Sequence, residues 1–350
     1  MLQRLCGLGP IGDGGHHGEY GPGIAGVSGT DVLSDLVRVI RLDGAHFFSV
    51  EAVAPWGIGT PPVRTLAPRI LPDAEHLIPY HIVTDGRCFA APLGAAPVEL
   101  AAGDVIVFPH GDAHVMSSAR KTGRLLLFQV TSSTPHRGVV RLGGDGPRSA
   151  GLVCGYLGCD RRPFNPLLAS LPRVMHMRGM ADAWVGGLTR QVTAERRLGR
   201  PGADAVITRL AELMFIEVLR RYLEELPPGQ TGWLAGLRDE VVGRALTLLH
   251  ARPSHPWTLE ELAREAAASR SNLAKRFTEL IGQPPIQYLA QWRMQIAATL
   301  LSQGPAKLGA VSARVGYASE AAFSRAFKKS TGFSPGAWRD ARAGSQDGLS

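Results

Sequence analysis

The side chains of this chain that could do specific chemistry fall into two sets. The first is a group of imidazoles and thiols in the N-terminal half: His81, His110 and His114, with Cys154 and Cys159 in the stretch LVCGYLGCD. Imidazoles suit zinc or iron, and a cysteine could complete a tetrahedral site. The other reading is that His114 hydrogen-bonds within the protein and His110 sits in solvent. Cys154 and Cys159 have four residues between them, more than the two of redox dithiols and many zinc knuckles. Their sulfurs could approach each other, or a metal, only if the segment begins as a strand and then turns. Arg161 and Arg162 next to them would favour a thiolate, the form a sensor cysteine needs. Against that, free cysteine commonly behaves as a small buried hydrophobe. Cys88 and Cys6 rank behind these two as sensors.

The second set is polar and basic, and it occurs twice. Residues 263–285, AREAAASRSNLAKRFTELIGQPP, are echoed fifty positions later by residues 313–335, ARVGYASEAAFSRAFKKSTGFSP. The overlay sets Ala263 on Ala313, Arg264 on Arg314, Ser269 on Ser319, Phe277 on Phe327, Gly282 on Gly332 and Pro285 on Pro335, an internal repeat. In each copy a short Ala-rich run stops at Ala267-Ala268 or Gly316-Tyr317. A serine follows where its hydroxyl can cap the next helix. Leu273, Phe277 and Leu280, or Phe323 and Phe327, form the apolar stripe of that second helix. Arg270, Asn272, Lys275 and Arg276, or Glu320, Ser324 and Arg325, take its other faces. A helix anchored on one side and showing short polar and basic groups near its start suits the major groove. Two solvated amphipathic hairpins are the plainer alternative. Between the copies, residues 286–303 place Leu289, Trp292, Ile296, Leu300 and Leu301 at helical spacing. Such a helix spans about 27 Å at 1.5 Å per residue, against the roughly 34 Å between successive major grooves on one face of B-DNA.

On these residues the last hundred positions, 240–339, resemble the DNA-binding domain of the AraC/XylS family of bacterial transcription regulators. The second copy carries the pattern most fully, from Ala310 to Ser319, then Phe323-Ser324-Arg325-Ala326-Phe327-Lys328 and Gly332-Phe333-Ser334-Pro335. The resemblance implies base-reading positions at Ser271, Ala274 and Lys275 in the first copy and at Ala321, Ser324 and Arg325 in the second. Ala274 and Ala321 are too short to hydrogen-bond a base, so readout there is by methyl contact or absent. Arg270, Asn272, Arg276 and Glu320 are neighbours for phosphates or solvent.

Charge agrees with this placement. The formal net charge is +8; residues 240–350 hold 14 Lys and Arg against 8 Asp and Glu, and the first 239 residues hold the remaining 24 against 22. A basic C-terminal third on a nearly neutral body suits a polyanion. Apolar runs are broken before about 20 residues and no signal pattern opens the chain. A cytoplasmic protein that spans no membrane is expected, its four cysteines as thiols.

The elements that must position the histidines and cysteines lie between Asp31 and residue 165. A short amphipathic helix over DVLSDLVRVIRL is followed by apolar-alternating runs punctuated by Pro and Gly: HFFSVEAVA, HLIPYHIVT, RCFAAPL, APVELAAGDVIVFP and GRLLLFQVT. These read as a small β-barrel or sandwich. Gly103, Pro109, Gly111 and His114 reproduce the spacing of the second sequence motif of the cupins, and the domain resembles the cupin-type sensor half found ahead of such DNA-binding domains. Enzymatic cupins hold a metal through a His-x-His pair and a glutamate of their first motif. Here Glu75-His76-Leu77-Ile78-Pro79-Tyr80-His81 lacks that pair, which counts against an enzyme of the usual kind.

The fold class read from the sequence is therefore α+β: an N-terminal cupin-like β-barrel with a helical extension, and a C-terminal all-α domain with two helix-turn-helix motifs. The boundaries are a disordered leader over 1–30, a sensor domain over 31–165, a helical extension over 166–226, a linker over 227–239, the DNA-binding domain over 240–340 and a disordered tail over 341–350. Within the extension, residues 204–226 show a wide apolar face for packing inside one subunit or for a homodimer. The function expected is sequence-specific regulation of transcription on double-stranded DNA, without catalysis. Its signal would be a small ligand, a metal ion in the cupin-like domain or thiol oxidation, and its partners a second copy and RNA polymerase. The alternatives are a cupin-fold metal-dependent enzyme and a DNA-binding protein whose barrel is purely structural.

Overall fold

The structure, a computed structural model, describes residues 31–39, 42–72, 74–121, 139–160, 163–180, 184–303 and 306–343. The leader with Cys6, the tail beyond residue 343, Arg161, Arg162 and the expected strand GRLLLFQVT lie outside the described residues. Helix α1 (Val32–Val39) starts after Asp31, whose carboxylate accepts from the Leu33 amide at 3.1 Å. Strands β1 (Leu42–Ala52) and β2 (Gly57–Thr60) precede helix α2 (Val63–Ile70). Five further strands complete most of the sheet: β3 (His76–Pro92), β4 (Val98–Ala101), β5 (Val105–Val107), β6 (His114–Ser117) and β7 (Val139–Leu142). Then come β8 (Ala150–Cys159), helix α3 (Pro166–Ser170) and β9 (Met175–Met177).

The nine strands form one connected sheet in the order β2-β6-β3-β8-β1-β7, with β4 and β5 also on β3 and β9 on β5. The expected strands HLIPYHIVT and RCFAAPL are one 17-residue strand, β3. Asp85-Gly86 does not turn the chain; the register against β8 shifts between Val83 and Asp85 instead. Gly86 has φ 72°, and a Cβ there would lie 2.0 Å from the Ser149 carbonyl. That shift lets the first half of β3 pair with β5 and β8 and its second half with β4 and β6, which curls the sheet. Both faces are covered. Along β8, Leu152, Cys154 and Tyr156 enter the core inside the curl, while Val153, Leu157 and Cys159 enter the core under the helices. A strand buried on both faces reads as a continuous apolar run.

Helix α5 (Ala203–Glu224) packs on β1 and β9, and α4 (Trp184–Leu198) packs on α5. The expected linker over 227–239 is partly helical: α6 (Trp233–Arg238) buries Trp233 and Leu234, because these apolar side chains face the first DNA-binding core. Arg238 donates to the Leu226 carbonyl at 2.8 Å and so closes the corner after α5. The remaining helices are α7 (Glu240–Ala251), α8 (Leu259–Glu265), α9 (Arg270–Ile281), α10 (Pro285–Ser302), α11 (Leu308–Arg314), α12 (Glu320–Thr331) and α13 (Pro335–Ala343). Two cores divide them. The core under the sensor sheet continues through α1, α3 and α6 to α9 and the first half of α10, whereas α11, α12 and the second half of α10 enclose a separate one.

Candidate functional site

Each copy of the repeat folds as helix, turn, helix. In the first, Ala267 takes φ 54° and Ser269 caps α9, accepting from the Asn272 amide at 3.2 Å. In the second, Gly316 takes φ 78° and Ser319 accepts from the Ala322 amide, also at 3.2 Å. The turns are closed by equivalent bonds, Ala268 N to Ala263 O at 2.9 Å and Tyr317 N to Ser312 O at 3.0 Å. These pair Ala263 with Ser312, one residue away from the sequence overlay of Ala263 on Ala313 and Arg264 on Arg314. The burial of Leu262, Ala263 and Ala266 matches that of Val311, Ser312 and Val315 in the same register. The second turn thus holds one extra residue before its serine.

Leu273 and Phe277 anchor α9, and Phe323 and Phe327 anchor α12, all fully buried. On the outer face of α9, Arg270, Ser271, Asn272 and Lys275 are exposed and Ala274 is half-buried; on α12, Glu320, Ala321 and Arg325 are exposed and Ser324 is half-buried. Arg270 and Arg325 make no ion pair among the described residues, and Lys275 Nζ lies 4.0 Å from Glu279. Arg276 is different. Its guanidinium is bound to Asp239, the N-cap of α7. Burial alone would raise the Asp239 pKa, but Arg276 and the amides of Val241 and Val242 hold that carboxyl below its usual range. Arg276 therefore fastens α9 to α7 instead of offering its charge outward. Glu320 also folds back: a Cβ on Gly309 of α11 would lie 2.5 Å from its Oε1.

The two heads are joined rigidly. Tyr288, Leu289 and Trp292 of α10 belong to the first core and Met294, Ala297, Ala298 and Leu301 to the second. Midway, Arg293 donates to the carbonyls of Pro253 at 2.6 Å and His255 at 2.7 Å. The Ser254 carbonyl between those two residues packs on Gly316, where a Cβ would come within 2.4 Å of it.

In the sensor sheet, Pro109-His110-Gly111 turns the chain between β5 and β6, closed by Gly111 N to Phe108 O at 2.9 Å. His114 follows, pointing inward and buried. The structure brings together two of the three candidate histidines. His81 and His114 meet Nε2 to Nε2 at 2.9 Å, while His110 turns away and donates from Nε2 to the Leu171 carbonyl at 2.9 Å. Its side chain is occupied by a carbonyl on another segment, so His81, His110 and His114 do not share a site; His114 hydrogen-bonds within the protein, as the other reading had it, and His110 is bonded instead of free in solvent. No group of three His, Cys, Asp or Glu side chains arranged for a metal occurs among the described residues.

Cys154 and Cys159 do not converge either. Residues 150–159 are strand throughout, and an odd separation along a strand puts two side chains on opposite faces. Cys154 and Cys159 accordingly enter different cores. Burial, and then the neighbouring Cys88, push the Cys154 thiol far up; burial pushes Cys88 up to about 12, with Asp104 adding to it. Both are protonated at neutral pH and poor nucleophiles. Inside the curl lies a cavity of 20 Å³, or 380 Å³ of empty space with its mouth counted, lined by His81, Cys154, Trp56, Phe48 and Met116 among others, with half-buried Ile58, Thr60 and Leu142 at its edge.

The cupin family model matches residues 31–224, more than half of the chain, and the helix-turn-helix domain model matches residues 262–341. A Streptomyces antibioticus protein named as an AraC-like transcription regulator is 36% identical over 88% of this chain and 98% of its own length. The chain belongs to the AraC-like transcription regulators. The HTH-type transcriptional regulator AlkR of Acinetobacter baylyi is 27% identical over 88% of this chain and 99% of its own. The RCS-specific HTH-type transcriptional activator RclR of Escherichia coli is 26% identical over 73% and 84%.

In this AraC-like regulator two residues around the cupin sheet had no sequence signal that named their contacts. Trp56 lines the cavity inside the curl from the loop before β2, and Asp104 binds His176 at 3.0 Å and the Gly179 amide at 3.0 Å, tying the Gly103 turn to β9. Trp56 shares the cavity with His81 and Cys154, and Asp104 meets His176 and Gly179, all far away in sequence. The one local signal was Asp104 itself, a carboxylate inside an apolar run.

Proposed function

We propose that this AraC-like regulator reads two successive major grooves with the exposed faces of α9 and α12, and that occupancy of the cupin sheet controls how the heads meet DNA. The observation that carries the reading is the pair of serine-capped, Phe-anchored helices at the two ends of one buried strut. Lys275, Ser271 and Ala274 on one head, and Arg325, Ser324 and Ala321 on the other, face bases; Arg270 and Asn272 serve phosphates. The signal reaches the heads over a short path. Past the end of β8, the Phe164 amide donates to Gln295 Oε1 on α10 at 2.9 Å, and the Phe164 ring packs edge-on against Tyr288 at 5.5 Å. A homodimer is supported by α5, whose Val206 and Leu213 stay 40% and 44% exposed, two helical turns apart.

Thiol oxidation is the second reading, favoured by the name of the Escherichia coli relative, an RCS-specific activator, and opposed by the buried, protonated state of Cys88 and Cys154. The experiment is a gel shift of the full chain on its own upstream DNA. Lys275→Ala and Arg325→Ala should each weaken specific binding by about 1–3 kcal/mol, with Arg325→Ala relaxing preference at one base position. Unchanged binding in both variants contradicts the assignment of the reading helices.

A further inference from the structure

The hydrogen bonds around His81 and His114 fix which nitrogens carry protons. His114 Nδ1 lies 3.0 Å from the Asp112 carbonyl, which can only accept, so that nitrogen carries the hydrogen. Burial, partly offset by Asp112, lowers the pKa of His114 to about 4, so at neutral pH its Nε2 is bare. His81 must then donate its Nε2 hydrogen across the 2.9 Å contact. Burial and the neighbouring His114 lower the His81 pKa well below the usual value, which keeps this ring neutral too and leaves its Nδ1 a bare acceptor. That Nδ1 and the Trp56 indole N–H are both buried without a hydrogen-bond partner, in side chains 5% and 4% exposed, and both residues line the cavity inside the curl. A buried donor and a buried acceptor left unmade are each costly. The cavity supplies one of each; the Thr60 and Tyr156 hydroxyls and the Cys154 thiol also line it, and among the described residues no charged side chain does.

The geometry points to a ligand with a neutral head group that both donates and accepts a hydrogen bond, a hydroxyl, held between Trp56 and His81, with an apolar body leaving past Ile58, Thr60 and Leu142. The enclosed 20 Å³ is about the room one hydroxyl or water-sized group needs. The mouth, where β2 and β7 are half-buried, takes the rest. A carboxylate fits this wall poorly, because it accepts only and its charge would be buried against the neutral His81 imidazole with no cation among the described residues to pair it. A bare hydrocarbon leaves both polar atoms unmade. This assignment rests on the reading of the cupin sheet as the sensor and names its ligand class.

The test uses the full chain and three probe series of equal length, the n-alkanols from butanol to octanol, the matching alkanes and the matching alkanoates. Binding is followed by calorimetry and by the unfolding midpoint, in the wild type and in Trp56→Phe, which removes the donor and keeps a ring. Alkanols should bind and raise the midpoint, and alkanoates should not. Trp56→Phe should lose about five- to tenfold in alkanol affinity, the loss of one hydrogen bond, with its midpoint in the absence of probe near that of the wild type. Alkanoates binding as tightly as alkanols, equal affinity in Trp56→Phe, or no binding by any probe would overturn the assignment. A gel shift of the same preparation keeps the two questions apart: operator binding without alkanol binding overturns the ligand and leaves the DNA reader standing.

Discussion

His250 is buried in the first DNA-binding core with its Nε2 2.8 Å from the Tyr288 hydroxyl, which accepts from Trp233 Nε1 at 2.8 Å. Burial lowers its pKa to about 3, and His114 sits at about 4; with His81, three imidazoles fold neutral. Each binds a proton in the unfolded chain near pH 6.5 but not in the native one. Their stability contribution is complete above that pH and is lost as pH falls toward the folded values, by about 1.4 kcal/mol per unit for each ring. Urea unfolding at pH 7, 6 and 5 should therefore show a steep fall before most carboxylates titrate; a flat profile would mean that these rings protonate freely in the native state. At this scale the sequence was partly legible. Phe277, Phe327 and the capping serines act through neighbours three or four residues away, whereas the Arg276–Asp239 and His81–His114 pairs join segments more than thirty residues apart. Cys154 and Cys159 stay apart for a definable reason: their segment runs straight, and strand alternation separates what a turn would have joined.

At the scale of elements the two turns make opposite predictions. Ala267 carries a Cβ in the left-handed region, a conformation costing an L-residue about 1–2 kcal/mol. Ala267→Gly removes that strain against about 0.5–1 kcal/mol of added backbone entropy, so it should leave stability unchanged or raise it by up to about 1 kcal/mol. Gly316→Ala adds the strain and also drives a Cβ to 2.4 Å from the Ser254 carbonyl. It should destabilise by more than about 2 kcal/mol, strain and overpacking together, in chemical denaturation; equal effects at the two sites would show that the turns are not built as described. The repeat, caps and strut were readable because helix signals are local and periodic. The one-residue offset between the copies was not, since the Ala-Arg pairs of the overlay match by identity while burial follows the other register. Helix α2 was not legible because Pro62 and Pro68 interrupt its pattern, and α6 because its six residues follow the Pro- and Gly-rich stretch 227–232; the sequence divides β3 at Asp85-Gly86 because that pair resembles a turn.

For the whole molecule, the unequal division of the cores has consequences. The first head shares its core with the sensor, through α1, α3 and α6, while the second head closes on its own core around Phe323, Phe327 and Trp338. Native-state hydrogen exchange should find α11 to α13 opening as one unit at lower free energy than α7 and α9, which open with the sensor; the reverse order would contradict a fused first head. Under the proposed function, a change in the sheet would reach α10 through the Phe164–Gln295 hydrogen bond, and it would be felt at the second head only if the two states differ in that contact.

The central claim is that one chain reads DNA with two heads. Footprinting of the full chain on its upstream DNA tests it most directly, comparing wild type with Lys275→Ala and Arg325→Ala. Two protected blocks centred about 10 base pairs apart on one face of the duplex are expected, with Lys275→Ala weakening one block and Arg325→Ala the other. A single block, or two blocks that respond identically to both substitutions, would contradict it.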